Sequence, residues 1–192
     1  WVFGIDKNQE ILDILTSGNS HLSDSSHDLI VPLESERWSI GADFSEFIPN
    51  SDVVLICVPT PTHENKKPDL SFVESALSSV IKNIRKDEKP IIVLESTVYP
   101  GITNKIADEI AKMFFLTPEE DFSLAYSPER ISPGDIGKSA SDVARIVGSN
   151  DPMVGTKLVE MYSKITAGGC THVGSIEVAE AAKMVENTQR DI

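Results

Sequence analysis

Short apolar runs alternate along the chain with longer stretches in which apolar residues recur every three or four positions. The runs at 1–5, 38–42, 52–58, 90–94, 122–126, 143–147 and 171–173 predict β-strands, and the periodic stretches at 7–17, 44–48, 71–84, 102–115 and 152–165 predict α-helices. The segment 21–37 predicts a short helix within a longer connection. VVLICV and IIVL are apolar without alternation, as strands are when helices cover both faces of a parallel sheet. Strands alternating with helices then predict a doubly wound α/β fold with a mostly parallel sheet. Local signals agree: Ser71 with Glu74 reads as a capping box, and Asp151 before Pro152 as an N-cap followed by proline in the first turn. A last helix starts near Ile176. Its helical period places Val178, Ala181, Ala182, Met184, Val185, Thr188 and Ile192 on one side, and Lys183 with Asn187 on the other.

The composition narrows the function. The 192 residues carry 17 Lys plus Arg against 30 Asp plus Glu, a net charge of −13. Such a surface disfavours nucleic acid and insertion into or binding to an anionic membrane, since both need basic surfaces or a long apolar span. Small anionic ligands remain compatible, because helix N-termini and backbone amides hold them without net positive charge. The cysteines, Cys57 and Cys170, form no disulfide scaffold, which fits a reducing, cytoplasmic setting. The histidines show no metal-ligand spacing with them, so no metal site is expected.

The candidate chemistry lies where strands end, which in open α/β sheets is where ligands bind. Asp6 closes the first strand. An acid there can accept hydrogen bonds from the adenosine ribose of NAD and repel the extra phosphate of NADP, or it can simply cap the helix that follows. CVPTP (57–61) follows the strand at 52–58, so Val58, Pro59 and Thr60 can line a cofactor, or the prolines merely stop the strand. Cys57 reads as a buried, small apolar residue. ESTVYPG (95–101) sets Ser96 and Thr97 on the same edge; the alternative is a turn with local hydroxyl caps. SPERISPGD (127–135) holds Glu129 and Arg130 between prolines, suited to acid–base chemistry and to gripping an anionic or hydroxylated substrate, against the alternative of a surface ion pair. On periodicity alone, Lys183 and Asn187 read as a solvated face.

Taken in order, VFGIDKNQE, CVPTP, ESTVYPG, SPERISPGD and EAAKMVENTQRDI resemble the nucleotide-sugar 6-dehydrogenases of the UDP-glucose/GDP-mannose dehydrogenase family. The last two motifs look nearest the branch acting on UDP-N-acetylglucosamine or UDP-N-acetylmannosamine. The resemblance implies NAD as cofactor, a UDP-sugar as substrate and dimerisation through the central helix. It further implies a NAD-binding domain over 1–174, with the start of the central helix at 175–192. Asp6, Val58, Pro59, Thr60, Ser96 and Thr97 would contact the cofactor. Thr97 would also hold a catalytic water, and Glu129 would be the acid–base at the sugar C6. Arg130 and Ile131 would touch substrate, while Lys183 and Asn187 would stabilise oxyanions as alcohol becomes acid. The implied activity is oxidation of the C6 hydroxyl, for surface polysaccharide synthesis; a UDP-glucose enzyme, another dehydrogenase of similar layout and a non-catalytic nucleotide-binding module are the alternatives. The family also has a first strand, a glycine-rich pyrophosphate turn and a thiol nucleophile, none of which matches a segment here. The expectation is therefore a truncated, inactive fragment.

Overall fold

The computed structural model describes residues 1–19, 37–63, 67–129 and 142–190, which divide into two compact units, Trp1–Asn50 and Ser51–Ile192. The first unit contains strand β1 (Val2–Ile5), helix α1 (Gln9–Thr16), strand β2 (Trp38–Gly41) and helix α2 (Phe44–Phe47), which tightens into a 3-10 turn at Ile48–Asn50. β1 and β2 pair in parallel, Val2 with Trp38 through Ile5 with Gly41. The Phe3 and Phe47 rings stack with centroids 5.1 Å apart. α1 begins at Asn8, whose side chain accepts from Glu10 N–H, so Asn8 and not Asp6 is the cap. The helix thus starts later than the pattern at 7–17 suggests, because the polar pair Lys7–Asn8 supplies the turn.

The second unit is built on β3 (Val53–Ile56), β4 (Ile91–Leu94), β5 (Ser123–Tyr126), β6 (Arg145–Ser149) and β7 (Cys170–His172), in that order across one sheet. All neighbours are parallel except β5 and β6, which run antiparallel with Ala125 opposite Ser149 and Tyr126 opposite Gly148. The mostly parallel α/β fold expected from the pattern is present. α3 (Ser71–Asn83), α4 (Ile102–Met113), α5 (Pro152–Tyr162) and α6 (Ile176–Arg190) complete the unit. β4 and β5 are buried throughout, and β4, β5, β6 and α5 share a core of Ile91, Val93, Ala125, Val147, Val154, Leu158 and Tyr162.

Two cap readings separate. Asp151 does cap α5, accepting from Met153 N–H at 2.8 Å with Pro152 in the first turn. The capping box at Ser71 is absent: Ser71 is already helical, and Asp69 accepts its N–H at 2.9 Å. Gly148 lets α6 approach the sheet, since a Cβ there would lie 2.5 Å from Ser175 O and 2.7 Å from Ala179 Cβ.

Candidate active site

Three loops leave the carboxyl ends of β3, β4 and β5 side by side, because those strands are parallel and adjacent. They carry Val58–Thr60, Glu95–Thr97 and Ser127–Glu129. Ser96 is buried, and its hydroxyl donates to Val58 O at 2.7 Å, tying the first two loops together. Thr97 and Pro59 are exposed, while Val58 and Thr60 are half-buried. Arg130 and Ile131 lie outside the described residues.

The antiparallel strand adds a cation to this edge. β6 runs opposite to β5, so its first residue, Arg145, arrives where the parallel strands end. Its guanidinium donates to Glu95 Oε1 at 3.1 Å and to Glu129 Oε2 at 2.6 Å. Tyr162 donates its hydroxyl to the same Glu95 oxygen at 2.5 Å, and its ring lies 4.9 Å beneath the guanidinium carbon. Desolvation works to lower the Arg145 pKa, yet the charges of Glu95 and Glu129 outweigh it and hold the group above its ordinary value. Desolvation and then the Glu95 charge push the Tyr162 hydroxyl up, so it remains a donor. Cys57, expected in the interior, is exposed overall, with its sulfur 3.4 Å from Glu95 Oε2. Desolvation of that sulfur and the neighbouring carboxylate push the thiol up to about 12, which makes it a poor nucleophile.

α6 turns its polar side inward. Lys183 is only 5% exposed and Glu180 is fully buried, whereas Val178, Met184 and Val185 face out, the last 67% exposed. The apolar stripe is thus the solvent face in this chain, and the reading of Lys183 as solvated is corrected. The reason lies in partners: Lys183 Nζ donates to the Glu129 carbonyl at 2.5 Å and lies 3.8 Å from Glu186. Glu180 accepts from Gly101 N–H at 2.6 Å and Thr103 N–H at 3.0 Å, and Glu177 accepts from Asn104 at 2.5 Å. Gly101 begins α4 at φ +86° with no side-chain cap of its own, so α6 supplies the carboxylate that the helix N-terminus requires. Asn187, one turn beyond Lys183, is half-buried.

Glu129 and Lys183 therefore meet, with Asn187 on the adjoining turn. Sequence reasoning missed Arg145, Tyr162 and Glu180, and took Glu95 only as part of a loop. An acid straight after the fully apolar strand IIVL was the available signal, since a carboxylate so placed needs a cation.

In the first unit, Asp6 stands at the carboxyl end of β1, half-buried, with Oδ1 accepting Asn8 N–H at 2.8 Å. A carboxylate oriented this way by the backbone is an acceptor suited to the hydroxyls of an adenosine ribose, and so fits NAD.

Comparison with known proteins matches residues 1–166 to the UDP-glucose/GDP-mannose dehydrogenase family, NAD binding domain. The chain belongs to this family. The UDP-N-acetyl-D-glucosamine 6-dehydrogenase of Pseudomonas aeruginosa is 39% identical over 142 residues, 73% of this chain and 33% of the relative. A UDP-N-acetyl-D-glucosamine 6-dehydrogenase of Salmonella typhi is 34% identical over 193 residues, covering 100% of this chain and 44% of the relative. The solved UDP-D-ManNAc dehydrogenase of Pyrococcus horikoshii superposes with a TM-score of 0.85 at 28% identity, over 99% of this chain and 45% of that one. The chain thus spans less than half the length of these relatives. Family membership fixes NAD as the cofactor of this domain and a Rossmann-type fold as its frame. Among the described residues no helix is long and apolar enough to cross a membrane.

Proposed function

We propose that the protein carrying this sequence oxidises the C6 hydroxyl of a UDP-N-acetylhexosamine to the carboxylate with NAD, in the cytoplasm, for surface polysaccharide synthesis. The observation that carries this reading is the contact of the buried Lys183 ammonium with the Glu129 carbonyl at the sheet's carboxyl edge. It sets a fixed positive charge beside a carboxylate-bearing loop. Oxidation of an alcohol needs that pair: a group that takes the hydroxyl proton, and a donor that steadies the oxygen as charge grows on it. NAD would supply the hydride acceptor for each of the two two-electron steps, alcohol to aldehyde and aldehyde to acid, so two NAD are reduced per sugar. Glu129 is the acid–base at C6. Lys183 and Asn187 donate to the reacting oxygen, and Thr97 orients the water that enters as the acid forms. Asp6 holds the adenosine ribose, while Val58, Pro59, Thr60, Ser96 and Thr97 line the cofactor, and Arg130 and Ile131 contact the sugar nucleotide. In this reading the NAD-binding domain spans 1–174, and α6 opens the central helix at 175–192. The exposed stripe of Val178, Met184 and Val185 is the face a second copy covers, making a homodimer.

The test is a comparison of kcat/KM across UDP-N-acetylglucosamine, UDP-N-acetylmannosamine, UDP-N-acetylgalactosamine and UDP-glucose, followed by NADH absorbance. Turnover of one or more of the N-acetylated sugars in preference to UDP-glucose is expected. A preference for UDP-glucose, or no reduction of NAD by any of them, overturns the proposal.

A further inference from the structure

We propose that Arg145 is a positioning residue that fixes the Glu129 carboxylate for the reaction, an inference that rests on the acid–base role proposed above for Glu129. The fold places it there. β5 and β6 pair with Ala125 opposite Ser149 and Tyr126 opposite Gly148, and continuing that register past Tyr126 sets Glu129 opposite Arg145. On its other side Arg145 pairs with Cys170 of β7 and donates its N–H to Gly169 O at 2.9 Å, so its backbone is clamped.

The side chain is held as firmly at its inner end. Glu95 is 10% exposed and Arg145 11%, whereas Glu129 is 44% exposed. Glu95 Oε1 accepts from both Tyr162 and Arg145, and the Tyr162 ring packs under the guanidinium plane. The anchor is therefore the buried Glu95–Tyr162 pair, and the Glu129 carboxylate is the end left facing outward. One arm of a planar guanidinium cannot move while the other is fixed, so Nη2 is aimed rather than merely near. A glutamate side chain in solution spreads over many rotamers, and selecting one costs side-chain entropy. Arg145 supplies that selection before substrate binds. Misplacement of a reacting group by about 1 Å can cost about 10²-fold in rate.

The experiment is a double-mutant cycle between Arg145 and Glu129 in the protein carrying this sequence, read as kcat and as KM for NAD and for the UDP-sugar. Arg145→Lys keeps the charge but lacks the rigid planar fork that aims at both carboxylates in fixed directions, so kcat should fall about 10-fold with each KM changed less than about 3-fold. Arg145→Met should fall further, toward about 10²-fold, and lysine should therefore rescue part of the methionine loss. In a Glu129→Gln background, Arg145→Lys should cost nothing more, because the group it positions is gone. An equal loss in both backgrounds would mean that Arg145 only holds the strands together, and would overturn the inference, as would an unchanged kcat in Arg145→Lys alone. If Arg145→Met does not fold, the lysine variant with its Tm carries the cycle. Should Glu129→Gln by itself leave kcat intact, the acid–base reading falls and the inference falls with it. That result is distinct from a failure of Arg145 alone.

Discussion

Replacing Glu180 with glutamine should destabilise the second unit by about 2–3 kcal/mol, and the figure follows from its two bonds. Glu180 is fully buried and accepts the Gly101 and Thr103 amides, 2.6 and 3.0 Å away, at the start of α4, whose own N-cap residue offers no side-chain cap. Glutamine keeps one carbonyl acceptor but turns an NH2 group toward the other amide. The loss is about one charge-assisted hydrogen bond, about 1.5–3 kcal/mol. The favourable charge at the helix N-terminus disappears as well, about 0.5–2 kcal/mol in a partly buried setting. Against this stands the relief of no longer burying a carboxylate, which offsets part of the sum. Alanine should cost more, because both amides lose their partner and a cavity opens. For a chain of this size, about 2–3 kcal/mol lowers Tm by about 4–12 °C. Urea unfolding followed by circular dichroism gives the stability change, and amide exchange at Thr103 reports the cap itself. A change below about 0.5 kcal/mol with undiminished protection at Thr103 would refute the claim that α6 caps α4.

Asp6→Gly should narrow the preference for NAD over NADP by about 10–100-fold in the ratio of kcat/KM, the effect of losing a charge-assisted bond to the ribose and a repulsion of the 2′-phosphate; an unchanged ratio would leave Asp6 as the acceptor for Asn8 N–H and nothing more. Gly148→Ala should cost about 1–3 kcal/mol, because its Cβ would meet Ser175 O and Ala179 Cβ and force α6 off the sheet; chemical unfolding checks it, and a neutral result would show that the helix start yields easily. Cys57 should resist iodoacetamide at pH 8 despite its exposure, since its thiol is pushed up to about 12. Glu95→Gln should speed that alkylation by removing a neighbouring negative charge, and mass spectrometry of the labelled peptide would show an unchanged rate if desolvation alone set the shift.

What could be read from the chain was what periodicity and short-range chemistry encode. IIVL announced a buried strand and Asp151-Pro152 a helix start, because each signal is local; VVLI formed its strand too, but with only Val54 and Ile56 buried and Leu55 exposed. The loops at 57–61, 95–101 and 127–135 were legible as a site because parallel strands place their carboxyl ends together. The antiparallel turn of β6 was not legible, since strand direction depends on a connection and not on the strand's own residues. With it went Arg145. The inward face of α6 misled for a related reason: the moment of a helix shows which side is apolar, not what each side meets. Glu180 and Lys183 are buried because α4 offers amides and the β5 loop offers a carbonyl, partners more than 50 residues away in sequence. The family pattern pointed to Lys183 where periodicity could not.

The most direct test of the whole account is the turnover of a UDP-N-acetylhexosamine by Lys183→Met beside the unaltered protein, followed as NADH formation at saturating NAD. Removing a preorganised donor to a developing oxyanion lowers kcat by about 10²–10³-fold, and that loss is expected here with the KM for NAD little changed. A kcat within about 2-fold of the unaltered protein, in a variant that folds, would contradict the placing of the chemistry at Lys183 and Glu129.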